Sequence, residues 1–197
     1  VVWCVAAGIV LLALPLLVTP LDTPLEQYRS WAAIGARDHL HIKQAWIGGI
    51  AESFRGRAVP HAPIQLAGIG WIVFISWKAS RAWDDALVRR LLLASLLAFA
   101  TIFNHKGESP TYVIAYAGLG IWWSLLPRER WRDAVMLAAF VIGSLGGTDL
   151  TPRSWRAEYH QGWQLKALFT VIAWSVMQHD LWLAIRRSPT AAPAEPP

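Results

Sequence analysis

The chain has 197 residues, of which 55% are hydrophobic and 16% charged, and its mean hydropathy is +0.35. This composition is too apolar for an ordinary soluble domain and favours an integral membrane protein. The formal net charge of +5 comes from arginines grouped in connecting segments, so it indicates contact with anionic lipid headgroups rather than with nucleic acid. The single cysteine, Cys4, excludes a disulfide within the chain and a thiolate metal cluster.

Apolar segments along the chain predict membrane-spanning helices. They cover roughly residues 1–19, 62–77, 89–103, 109–126, 134–150 and 164–185. Several of the 13 tryptophans lie beside the ends of these segments, as in the aromatic belts of membrane proteins. The predicted fold class is therefore all-α. We expect a multi-pass transmembrane helical bundle of about six spans over residues 1–187, and a disordered, Pro/Ala-rich tail over residues 188–197.

The first apolar segment opens on Val1-Val2-Trp3, with neither an initiator methionine nor a basic leader before it. A signal peptide begins with a positively charged region, which this segment lacks. We therefore expect the chain to be the C-terminal part of a longer membrane protein, with residues essential to its chemistry lying upstream.

The long connection over residues 20–61 is predicted to contain an amphipathic helix. Thr23 and Glu26 have the spacing of a capping box at its start. The apolar stripe that follows consists of Leu25, Tyr28, Trp31, Ala32 and Gly35. Such a helix lies on the membrane surface, where it either guides a lipid-linked substrate or seals the spans beneath it. Residues 46–50 are expected to form a turn or a re-entrant dip.

The connection between the third and fourth spans is chemically the most unusual segment. It brings His105, Lys106 and Glu108 to the edge of the bilayer, where charged groups are generally functional. Ser109 is predicted as the N-cap of the next helix and Pro110 as its first residue. The positive end of that helix then faces Lys106 and His105, a combination that suits a phosphate or another anion.

Tyr112 and Tyr116, four residues apart, are expected to line one face of the first helical turns. The structural alternative is a well-capped hairpin in which Lys106 and Glu108 pair with each other, and the local pattern favours neither reading.

Lysine and arginine placement predicts the orientation. Dense basic clusters occupy the short connections 78–90 and 127–132 and the pair Arg186 and Arg187. This side is expected to be cytoplasmic by the positive-inside rule, together with the C-terminus. The longer connections, 20–61, 105–109 and 148–162, then share the extracytoplasmic face.

Two histidine-containing stretches are candidate sites. His39 and His41 beside Asp38 form a weak metal signal, because no third ligand occurs at a suitable spacing, and no metal is predicted. His179 and Asp180 are expected to be interfacial rather than part of a proton path.

Asp149, with Arg153, Arg156 and Lys166 nearby in sequence, permits two interpretations. It is either a partner in surface ion pairs or a second wall of the extracytoplasmic site.

Three stretches resemble the late region of glycosyltransferase family 87-like membrane proteins. The most specific is the Glu-Ser-Pro-Thr core at 108–111 within residues 103–115, followed by Gly118 and Ile121-Trp122. The second is residues 27–31 with Asp38 beyond them. The third is residues 147–150 with Pro152, then residues 165–168 and Trp174. Their order agrees, and they cover most of the chain from Leu25 to Trp182.

The resemblance implies an enzyme of the multi-pass GT-C type, of which this chain is the C-terminal half. Such an enzyme transfers a sugar from a polyprenyl-phosphate donor to an acceptor hydroxyl at the extracytoplasmic face of the plasma (inner) membrane. Its partners are the lipid-linked donor and membrane lipids, without a cofactor beyond the donor as co-substrate. The substrate-binding residues expected are His105, Lys106, Ser109, Tyr112, Arg29 and Asp149.

The catalytic roles follow from the same resemblance. An inverting transfer needs a carboxylate base and positive groups that stabilise the departing phosphate. The main base of GT-C enzymes lies in the first extracytoplasmic loop, which is upstream here, so Glu108 is assigned a positioning role.

Two alternatives remain open. The chain is otherwise part of a transporter or flippase for lipid-linked sugars, or a membrane subunit without chemistry. An acidic residue in a preceding outer loop would favour the enzyme.

Overall fold

The computed structural model describes residues 2–37, 45–104 and 109–188. Most of these residues are helical, and no strand occurs among them, so the predicted all-α class is confirmed. The chain divides into two compact units, residues 1–42 and 43–197.

The first unit consists of two helices. Helix α1, Val2–Ala13, continues into a 3-10 turn over Leu14–Leu17, and helix α2 covers Asp22–Arg37. The predicted amphipathic helix is therefore present, but it begins at Asp22, so that Thr23 lies inside it rather than capping it. Pro24 is tolerated in the first turn because amide groups there have no intrahelical partner. The Tyr28 hydroxyl donates a 2.5 Å hydrogen bond to the carbonyl of Leu12 and ties α2 to α1.

The second unit holds the remaining helices of the described chain. They are α3, Ile47–Arg55; α4, His61–Ser80; α5, Ala86–Ile102; α6, Tyr112–Leu125; α7, Arg130–Phe140; α8, Arg153–Trp155; and α9, Leu165–Arg187. A 3-10 turn, Ser109–Thr111, precedes α6, and π-helical turns extend α7 over Val141–Leu145 and α8 over Arg156–Gln161.

Each of the six predicted apolar segments is largely helical. Among the described residues, two helices are long and apolar enough to cross a membrane, namely α4 and α9. Helix α6 is apolar but has 14 residues, and α5 has 17.

The stretch 46–50 leads into a helix, so the predicted turn is wrong, and the alternative of a re-entrant dip stays a prediction. Trp46 is the residue before α3, and the glycines that follow form the first helical turn. Trp46 is buried, with its ring 4.7 Å from that of His61. A Cβ at Gly48 would lie 2.0 Å from the Trp46 ring, so the glycine is required for this packing and does not mark a break in the chain.

Helix α5 lies at the centre of the second unit, packed against α6 and α9. Its contact with α6 is close because Gly118 has no side chain. A Cβ at that position would lie 2.5 Å from the carbonyl oxygen of Ala94, a backbone atom that cannot move aside. Small residues thus bring these two helices together, as in packed membrane helices.

Polar side chains also connect the helices inside this unit. Gln178 of α9 donates a 2.5 Å hydrogen bond to the Ser95 hydroxyl of α5 and accepts one of 3.1 Å from the Trp71 indole of α4. Trp174 donates to the Ser95 carbonyl at 3.2 Å. Since buried polar groups are costly unless paired, these bonds fix how the three helices align.

An ion pair joins α7 to α9 two residues further along α9 from Gln178. The Arg132 guanidinium donates two hydrogen bonds of 3.1 Å to the carboxylate of Asp180, which also accepts one of 2.9 Å from the Trp122 indole. Asp180 is 5% exposed, so it is a buried structural residue, whereas the side chain of its neighbour His179 is 66% exposed. Burial alone would lower the pKa of Arg132, but the hydrogen bonds and charge of Asp180 raise it above its ordinary value.

Candidate functional site at the start of helices α6 and α9

The predicted site residues fall into two groups. His105, Lys106 and Glu108 lie outside the described residues, as do residues 38–41, which contain the weak metal signal, and the tail from residue 189. The predictions made for them stay predictions. Ser109, Tyr112, Asp149 and Arg29 are in the described ranges and have defined positions.

The segment that enters α6 differs in detail from the prediction. Ser109 begins a 3-10 turn, and the α-helix starts at Tyr112, with Thr111 rather than Ser109 at the N-cap position. Such turns are frequent at the N-termini of α-helices. The Thr111 side chain makes no capping hydrogen bond. Thr111 itself has helical dihedral angles, so the helical run begins at Ser109, and its first amides carry the positive end of the helix dipole.

Tyr112 is fully buried, and contacts of both its hydroxyl and its ring fix its position. The hydroxyl donates a 2.8 Å hydrogen bond to the carbonyl of Ala45, just before α3. The ring lies 6.1 Å from that of Tyr116, one turn along α6. Tyr112 thus joins the start of α6 to the segment that leads into α3.

Lys166 comes to the same place from α9. Its ammonium nitrogen lies 5.3 Å from the centre of the Tyr112 ring, within the range of a cation–π contact, and the side chain is half-buried. The lysine is the second residue of α9, directly after a turn in which Gln164 adopts a left-handed backbone conformation, φ 53°. Such a conformation costs about 1–2 kcal/mol for a non-glycine residue, so neighbouring contacts hold this turn in place.

Sequence reasoning treated Lys166 as one of several cations near Asp149 and did not pair it with Tyr112. The available signal was its position: a lysine at the very start of a long apolar segment lies at the same end of the bundle as the residues that open α6.

Tyr116 lies deeper, against the π-helical turn that extends α7. A Cβ at Gly143 would lie 2.1 Å from its hydroxyl oxygen, so the phenol occupies the space that this glycine leaves. In the described part of the chain the hydroxyl has no hydrogen bond of acceptable geometry, although the hydroxyls of Ser144 and Thr170 are beside it. The pair Tyr112 and Tyr116 therefore forms an aromatic wall inside the bundle below the α6 entrance.

Asp149 and Arg29 occupy surface positions. Asp149 is in an ion pair of 2.5 Å with Arg156, and its side chain is 99% exposed. The surface ion pair, one of the two interpretations of this residue, is thus present. Arg29 is exposed on α2, in the first unit.

The described residues contain no cluster of three His, Cys, Asp or Glu side chains that would bind a metal ion. What the site offers is a cation, Lys166, held against buried aromatic rings beside a helix start. This arrangement can bind an anion and place an apolar group next to it.

No protein-family model, curated protein or solved structure matches the chain. The resemblance to family 87-like glycosyltransferases therefore depends on the residues quoted for it and stays a prediction.

Proposed function

We propose that the chain is an integral membrane protein whose apolar helices cross the bilayer. Helix α4 supports this best, because only 22% of its most apolar 18-residue stretch is buried in the protein. The core helix of a soluble protein would be mostly buried. Large apolar side chains are also exposed on the other helices, including Leu93 of α5, Val113 of α6, Leu137 of α7 and Ile172 of α9. Apolar surface of this extent is typical of contact with lipid.

The interior supports the same proposal. Ser95, Thr170, Gln178 and Asp180 are buried while leucine and valine side chains lie outside. In hydrocarbon, polar side chains face the bundle interior, where they find partners, and apolar ones face the lipid.

Within that setting, the function we propose is transfer of a sugar from a polyprenyl-phosphate donor to an acceptor hydroxyl. The observation that carries the proposal is the half-buried Lys166 against Tyr112 at the entrance of α6. Lys166 would be a second cation in addition to Lys106, which precedes α6 in the sequence. A donor with one phosphate and a long isoprenoid chain requires both features, a cationic site for the phosphate and an apolar surface for the chain.

The chemistry assigns a task to each group. The acceptor oxygen attacks the anomeric carbon of the sugar, and the bond from that carbon to the phosphate oxygen breaks. The bonding electrons leave with the polyprenyl phosphate, whose added negative charge Lys106, Lys166 and the positive end of α6 stabilise. The acceptor proton passes to a carboxylate base. Glu108 orients the sugar or the acceptor.

Topology is the first test. We expect Arg81 and Arg130 on the cytoplasmic side, and His41, Lys106 and Arg156 outside, because dense basic clusters flank the short connections. Single cysteines at these positions, in a Cys4→Ala background, would be labelled in sealed vesicles with a membrane-impermeant maleimide. Labelling of position 106 from the cytoplasmic side alone would overturn the assignment.

Glu108 tests the chemistry. If it positions the substrate, Glu108→Gln should reduce sugar transfer by at least about tenfold, the loss of one charge-assisted hydrogen bond of roughly 1.5–3 kcal/mol. Expression and thermal stability should stay close to wild type. The measurement is transfer of radiolabelled sugar in membranes containing each variant.

A parallel loss of activity and folded protein would instead mean that Glu108 pairs structurally with Lys106. Donor binding without transfer would favour a transporter of lipid-linked sugars over an enzyme.

A further inference from the structure

Basic side chains lie over aromatic rings where α4 and α9 end. Lys166, by contrast, lies at the start of α9. The Lys78 ammonium is 4.9 Å and the Arg81 guanidinium 4.4 Å from the centre of the Trp77 ring. On α9 the guanidinium of Arg186 is 5.1 Å from the Trp182 ring. Phe74 of α4 stacks on Trp182 at 6.0 Å and joins the two halves. We call these residues the basic-aromatic patch: Phe74, Trp77, Lys78, Arg81, Trp182 and Arg186.

The three cations of the patch have no carboxylate partner within the ranges that the structure describes. Other arginines of this unit differ, since Arg132 pairs with Asp180 and Glu129, and Arg156 with Asp149. Lys78, Arg81 and Arg186 instead lie over the faces of aromatic rings. Rings hold a cation in position without neutralising it, so the patch keeps three positive charges for an outside anion.

An apolar stripe leads along α4 to the patch. Leu66, Ile69, Val73 and Trp77 are all exposed, and their spacing of three and four residues places them on one side of the helix. An alkyl chain lying on this stripe would reach the aromatic rings and, one turn further, the cations. Tryptophan at such a position is typical of the membrane interface, where lipid headgroups begin.

We propose that the basic-aromatic patch binds an anionic phospholipid. Its phosphodiester lies among Lys78, Arg81 and Arg186, and one acyl chain follows the stripe from Val73 to Leu66. Charge complementarity and the continuous apolar stripe favour a lipid over a soluble anion, which would leave the stripe uncovered. The proposal depends on the membrane location proposed above and is independent of sugar transfer.

The test is the association of a spin-labelled phosphatidylglycerol with the purified protein in phosphatidylcholine nanodiscs. Each cation near an anionic lipid surface contributes about 1 kcal/mol, or roughly fivefold in affinity. We expect saturable binding, and a loss of roughly 100-fold in the triple variant Lys78→Gln/Arg81→Gln/Arg186→Gln.

The matched control removes the same charge elsewhere. Arg55, Arg57 and Arg153 are exposed and precede the starts of α4 and α9 in the chain, whereas the patch lies where these helices end, so their triple glutamine variant should bind as wild type does. If the patch variant does not fold, Arg81→Gln alone, at an exposed position after α4, should weaken binding roughly fivefold.

Equal association of phosphatidylglycerol and phosphatidylcholine, an unchanged patch variant, or an equal loss in the control variant would each overturn the proposal. Failure of donor binding with retained phosphatidylglycerol binding would count against the sugar transferase alone. Labelling that shows no helix crossing the membrane would count against both.

Discussion

Replacing Asp180 by asparagine is expected to lower the free energy of unfolding by about 3–5 kcal/mol. The Arg132 side chain is 12% exposed and makes its two closest charged contacts with this carboxylate. Asparagine keeps the size and one acceptor oxygen for the Trp122 indole, but it removes the charge that compensates the buried guanidinium. The penalty is therefore mainly that of a largely buried cation left with the half-exposed Glu129 as its charged partner.

Thermal unfolding of the purified protein measures this effect. For a chain of this length each kcal/mol corresponds to about 2–4 °C in Tm, so Asp180→Asn should lose roughly 6–20 °C. The control is Asp149→Asn, in which the carboxylate lost is almost fully exposed, and its Tm should stay at the wild-type value. The double variant Arg132→Met/Asp180→Leu should recover most of the stability, because apolar residues often replace buried ion pairs without cost. A wild-type Tm in Asp180→Asn would show that the pair is not structural.

Replacing Lys166 by methionine is expected to weaken binding of the polyprenyl-phosphate sugar by about 10–100-fold. A charge-assisted hydrogen bond to a phosphate contributes roughly 1.5–3 kcal/mol, and each 1.4 kcal/mol is a factor of ten. Methionine keeps an unbranched apolar side chain against the Tyr112 ring, so the packing at the start of α9 should survive. Affinity for the acceptor should change little.

The matched control for Lys166 is Arg57→Met, which removes one exposed positive charge after α3. Donor binding should be unchanged in this variant. If both variants lose affinity equally, the effect is one of overall charge, and Lys166 is not a donor ligand.

The helices could be predicted because long apolar segments are visible in the sequence without knowledge of contacts. Their ends were less certain, since local geometry decides them. The 3-10 turn at Ser109–Thr111 moves the start of α6 to Tyr112, and the helix α2 begins at Asp22 instead of following a Thr23 cap. The glycines after Trp46 indicated a break, whereas the packing of its ring on Gly48 makes them part of α3.

Long-range pairs were beyond sequence reasoning. Asp180 was expected at an interface, because nothing local shows that Arg132, 48 positions earlier, reaches it. The contact of Lys166 with Tyr112 likewise joins helices that are distant in the chain. By contrast, the Asp149 and Arg156 ion pair was among the alternatives considered, since both residues lie in one connection.

Donor binding by the purified protein tests the central proposal most directly. The measurement is equilibrium binding of a polyprenyl-phosphate sugar in nanodiscs, comparing wild type with Lys106→Met and Lys166→Met. We expect saturable binding to wild type and a loss of at least about tenfold in each variant. Absence of saturable binding to wild type, or equal affinity in all three proteins, would contradict a donor site at the start of α6 and α9.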